Sequence, residues 1–136
     1  CASGLHRNKN NPIRQEKTEL ALDFVKRIFK CGIPKIAVEN SRGCIGTRLL
    51  KKSQTLQAYQ FAHDASKTTD LWLIELPPLV IPDKSLWIAP RIVDGKPRWA
   101  NQTNSGQNKL GPSSTRSRDR AATYQGIADA MASAWG

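Results

Sequence analysis

Two adjacent polar residues, Glu39 and Asn40, follow the short apolar run Lys35-Ile36-Ala37-Val38, at the point where a buried strand would end. In open α/β sheets the functional crevice lies outside the carboxyl ends of the strands, so an acid and an amide at this place stand where chemistry is usually located. The thiols are Cys1, Cys31 and Cys44. Their odd number and the absence of C-x-x-C spacing argue against a zinc site and against a disulfide framework, and a reducing compartment fits them better. Cys31, at the end of a helical stretch, and Cys44, in a loop with Arg42, read as small buried residues. His6 and His63 have no i, i+4 partner and make no metal site.

The second chemical signal is charge. Twenty-one Lys and Arg against 11 Asp and Glu leave a formal +10 on 136 residues. The simplest partner for such a chain is a nucleic acid, bound through phosphate neutralisation and counterion release. Trp87 and Trp99 interleave with Arg91, Lys96 and Arg98, a pattern that can stack bases and hold phosphates or fill the core of a small β region. Residues 101–120 are polar and rich in Ser and Gly, and end in Arg116, Arg118 and Arg120. They read as a mobile arm or a phosphate-contacting loop.

These residues need a scaffold. A content of 39% apolar and 24% charged residues suits a globular domain with a single core. The longest apolar stretch, 71–82, contains Glu75 and three prolines, too interrupted for a spanning helix. Asn11 and Pro12 predict a helix start, Gly32 and Pro34 its end, and Leu20, Leu22, Phe24, Val25, Ile28 and Phe29 a broad buried stripe. Lys35–Val38 reads as a central parallel strand, 55–61 and 70–76 as two further strands, and 47–52 as a helical turn or two. Asp94-Gly95 marks a turn in a small irregular β region, and 123–135 a closing helix with Ile127, Met131 and Trp135 on one face. The whole predicts an α/β chain holding the second half of a doubly wound, Rossmann-like sheet, because nothing before residue 12 supplies the first half. We divide it as 1–76, an α/β core; 77–120, an irregular basic region; and 121–136, a helix returning to the core. The start at Cys1 rather than Met reads as a truncated intracellular chain.

The runs Pro34–Asn40 (PKIAVEN), Gln54–His63 (QTLQAYQFAH), Leu71-Trp72-Leu73 and Tyr124–Ala132 (YQGIADAMA) resemble the phage and prophage branch of the DNA cytosine-5 methyltransferases across almost the whole chain. The resemblance implies an enzyme that moves a methyl group from S-adenosylmethionine to a cytosine flipped out of DNA, in the cytoplasm of a bacterial host. It implies that the cofactor-binding half lies N-terminal to these residues. Carbon 5 of cytosine is a poor nucleophile, so in this family a cysteine thiolate adds to carbon 6 while a shielded carboxylic acid hydrogen-bonds N3. Glu39 matches that acid, and Asn40 would orient its loop. Cys1 stands either at the nucleophile's place in the family's Pro-Pro-Cys loop or at a position a few residues downstream, before a Ser-Gly pair; in the second case the piece is inactive. His63 and Lys67 fall near the family's Gln-x-Arg motif and, with Arg116, Arg118 and Arg120, are the expected DNA contacts. Three departures stand out: Ser41 where the family has proline after Glu-Asn, Ala62 where it has glycine, and Asp70 where cysteine is common. Ser41 would loosen the loop that aims Glu39. A non-catalytic basic DNA-binding protein derived from such an enzyme is the competing expectation.

Overall fold

The structure is a computed structural model that describes residues 11–136. Asn11 accepts the Arg14 amide at 3.1 Å, and Pro12 fits the first helical position because its missing N–H would be unbonded there. Helix α1 then runs Pro12–Phe29 and stops ahead of Gly32, whose φ of +80° suits glycine. Its inner stripe is Thr18, Leu22, Val25 and Phe29, at i, i+4, i+7 and i+11. Leu20 and Phe24 lie half a turn away and are 63% and 57% exposed, so the expectation that both belong to the core is corrected. Cys31 is also exposed, not buried.

Strand β1 (Ile36–Ser41) pairs antiparallel with β3 (Thr68–Ile74), setting Glu39 opposite Leu71 and Asn40 opposite Asp70. With β2 (Gln54–Gln57) they form a sheet of order β1-β3-β2. Among the described residues β1 is therefore an edge strand in an antiparallel pair, not the central parallel strand its apolar run suggested. A short apolar run records burial and leaves the direction of its neighbour unspecified. The mixed α/β composition and the closing helix stand as expected.

The chain divides into two compact units. One takes the chain as far as Thr55 together with Thr69–Pro78; the other takes Leu56–Thr68 with Leu79–Gly136. In the first, Leu22 of α1, Cys44 and Ile45 at the start of α2 (Ile45–Arg48) and Trp72 of β3 make the core, with Val25, Phe29, Val38 and Leu49 around them. Trp72 is 1% exposed and its indole N–H donates to the Leu50 carbonyl at 2.6 Å, as a buried tryptophan requires. Asp70, 3% exposed, accepts from Thr55 Oγ1 at 2.7 Å and from Lys52 Nζ at 3.0 Å. A carboxylate this deep is tolerable only with such partners.

In the second unit, Ala58–Phe61 forms a 3-10 turn where a strand was expected. Gln57 and Gln60 cap it reciprocally, the Gln57 amide donating to Gln60 Oε1 at 2.7 Å. The buried Ala58 and Phe61 are three residues apart, which is the 3-10 repeat. The expected turn at Asp94-Gly95 is present, with φ of 48° and 70°, and joins β4 (Arg91–Val93) to β5 (Lys96–Arg98). Both residues having positive φ is the signature of a tight hairpin whose twist matches its strands. Helix α3 (Arg116–Ala121) precedes α4 (Gln125–Trp135), whose Ile127 is fully buried while Met131 and Trp135 are partly so.

Candidate functional site

Along one side of α1 runs a groove of about 840 Å³ whose far wall is β1. Ile13, Phe24, Leu22, Val25 and Ile28 make it largely apolar, Arg14 and Lys17 are its cations, and Glu39 is the sole carboxylate among its lining residues. Glu39 and Asn40 are both partly buried. They lie inside β1 rather than just beyond it, since the strand continues to Ser41. Successive residues of a strand point to opposite faces, so Glu39 shares a face with Ala37 and Ser41, and Asn40 with Ile36 and Val38. The two side chains therefore serve different surroundings. Cys44 belongs to the same groove wall and to the core behind it, buried as expected. Cys1 and His6 lie outside the described residues.

The other expected residues belong to the second unit, where His63 and Lys67 are engaged in holding its helices. His63 Nε2 accepts the Gly126 amide at 2.9 Å, capping the first turn of α4 from 63 residues away; Tyr124, at the N-cap position itself, makes no side-chain cap. His63 also packs against the Tyr124 ring, with centroids 5.0 Å apart. Lys67 donates from Nζ to the Ala122 carbonyl at 2.6 Å, just past the end of α3, where a cation suits the helix dipole, and sits 5.8 Å over the Tyr124 ring. Burial raises the Tyr124 hydroxyl above the usual tyrosine range. Arg116 is partly buried with its Nε lacking an acceptor, whereas Arg118 and Arg120 are exposed.

The tryptophans of the basic region are occupied internally. Trp99 stacks on Tyr59 with centroids 4.4 Å apart and planes within 12°, and its indole donates to the Ile88 carbonyl. Trp87 packs against the same Tyr59 and donates to the Pro82 carbonyl at 2.9 Å. Residues 99–110 are a tied loop. The Asn101 side chain bonds the Ser66 backbone on both sides, Asp64 accepts the Ala100 amide, and Gln102 bridges Asn108. The expectation of a mobile arm is thereby corrected for its first half. Sequence reasoning missed Arg14 and Lys17 as groove residues, although their positions on one helix face with Thr18, Ala21, Val25 and Ile28 were readable.

Among the described residues no cluster of three His, Cys, Asp or Glu could hold a metal ion, and no helix is long and apolar enough to cross a membrane. Comparison with known proteins returns no family model that matches the chain, no similar curated protein and no similar solved structure.

Proposed function

We propose that this chain is the base-holding and DNA-contacting part of a phage-type DNA cytosine-5 methyltransferase. The observation that supports this reading is Glu39: a partly buried acidic residue, the only one among the described residues that line a concave, largely apolar groove, in the Glu-Asn sequence that carries the resemblance. In that role its acid proton hydrogen-bonds N3 of the extruded cytosine as negative charge builds on the ring. Asn40, which also lines the groove, would hold the neighbouring backbone. The +10 charge attracts the DNA before any base is extruded.

S-adenosylmethionine, the methyl donor that the resemblance implies, needs an acceptor for its ribose hydroxyls and a close turn against its amino-acid end. The groove's one carboxylate is already assigned to the base, and the described residues do not by themselves fit the cofactor.

The test uses the polypeptide read with its upstream reading frame, incubated with labelled S-adenosylmethionine and cytosine-containing duplex DNA. Glu39→Gln is expected to lower methyl transfer by about 10²-fold or more, since an amide has no acid proton to share, while leaving salt-sensitive DNA affinity near wild type. Undiminished transfer in that variant removes Glu39 from the role. DNA binding with no transfer in the wild type selects the competing reading of a non-catalytic DNA-binding protein, which Ser41 in place of the family's proline favours.

A further inference from the structure

The β4–β5 hairpin carries a feature that its fold does not require. Arg91 stands directly opposite Arg98 and Val93 opposite Lys96, so Arg91, Lys96 and Arg98 share one face of the ribbon. Like charges facing one another across strands are destabilising, and among the described residues no carboxylate lies within 4.0 Å of any of the three. Both arginines are instead steadied by neutral carbonyls. Arg91 donates to Trp99 O and Gln102 O, each at 2.6 Å, and Arg98 to Asn104 O and Pro97 O, each at 2.9 Å. The Arg98 guanidinium also lies against Gly106, where a Cβ would meet its Cζ at 3.0 Å. Carbonyls fix the orientation of a guanidinium without cancelling its charge. Each arginine commits two N–H groups this way and keeps the others for an outside acceptor. Lys96 is exposed and has no side-chain hydrogen bond among the described residues.

We infer that this face docks on the sugar-phosphate backbone of DNA and reads no bases. This rests on the DNA reading above. The two arginines, already oriented by backbone carbonyls, lose little side-chain entropy on meeting phosphate, their remaining N–H groups can bond its oxygens, and Lys96 adds a third positive charge on the same face. The aromatic groups that could have stacked on bases are absent from the face, because Trp87 and Trp99 are packed on Tyr59 and their indole N–H groups are bound to backbone carbonyls. Phosphate contacts of this kind set affinity and register without carrying sequence information.

The experiment measures binding of the 136-residue chain to two duplexes of unrelated sequence as a function of salt. Removing one cation from a phosphate is expected to reduce the steepness of log K against log salt by about 0.9. Lys96→Gln and Arg98→Gln should each do so on both duplexes, and the triple variant of Arg91, Lys96 and Arg98 to Gln by about two to three such steps. Arg98→Lys, which keeps the charge but gives up the guanidinium bonds to Asn104 O and Pro97 O, should retain the wild-type slope. Lys96→Gln guards against misfolding, since that side chain holds nothing in place. A wild-type slope in Lys96→Gln and the triple variant overturns the proposal. So does an equal drop in Arg98→Lys and Arg98→Gln, which would assign the arginine to holding the loop, and so does a drop confined to one duplex, which would mean base reading. Wild-type chain that fails to bind either duplex sinks the DNA reading itself, whereas intact binding with unchanged slopes sinks the hairpin alone.

Discussion

Gly126 is the residue whose identity the structure dictates most tightly. A Cβ there would meet the Phe61 carbonyl oxygen at 2.3 Å and the Phe61 Cβ at 3.2 Å, and the first is backbone that cannot swing aside. Its own amide is the donor to His63, so the close approach and the cap depend on one another. Gly126→Ala is expected to destabilise the fold by about 1–3 kcal/mol, read as a lowered denaturant midpoint with an unchanged m-value. The same substitution at Gly111, where a Cβ would meet nothing within 4 Å, is expected to shift the midpoint far less. At this scale the sequence is only partly legible. Glu39 and Asn40 announce themselves by following an apolar run, and Cys44 reads as buried. Asp70 does not: it looks like the polar start of an apolar strand, and its partners Lys52 and Thr55 lie 18 and 15 residues back, a separation that no local pattern encodes. His63 reads as a DNA contact by its place in a motif, while the amide it accepts lies in a distant helix.

Elements whose evidence is local are the most legible. The start of α1, its stop at Gly32, the Asp94-Gly95 hairpin and the C-terminal helix all follow from caps, positive-φ turns and 3.6-residue spacing. What escapes is which half of a helix faces inward and which strand lies beside which, because both are set by partners far off in sequence. The broad stripe on α1 is two stripes, and only the one through Leu22 and Val25 meets Trp72 and Ile45. Between α3 and α4, Tyr124 offers a measurable consequence. Its hydroxyl is raised by burial, so the folded state holds that proton more tightly than the unfolded chain does. The resulting stability is complete below about pH 10, the ordinary tyrosine value, and is lost as pH rises through the folded value. Chemical denaturation across that alkaline window should reveal a falling midpoint, and Tyr124→Phe should flatten the part due to this ring. An identical alkaline decline in the Phe variant would place the cause elsewhere.

At the scale of the whole molecule, neither unit is a continuous piece of chain. The first is completed by Thr69–Pro78, which brings Leu71 and Trp72, and the second borrows Leu56–Thr68, which brings Ala58, Phe61 and His63. A chain ending at Thr55 lacks Trp72 and is expected not to fold. A chain ending at Pro78 keeps the first unit's residues but strands Phe61 and Ala58 without Ile127 and Leu79, all buried in the intact protein. Such a product is expected to be far less soluble and to be nicked by protease within 56–68, which mass mapping of the fragments would locate; resistance there would mean that this segment is ordered without its C-terminal partners. The return of Trp72 to α1 also has a bearing on synthesis. A ribosome delivers Leu22 and Val25 into water well before the indole that will cover them leaves the exit tunnel, so the nascent helix must wait with its greasy side bare, and chaperones would be needed early rather than late.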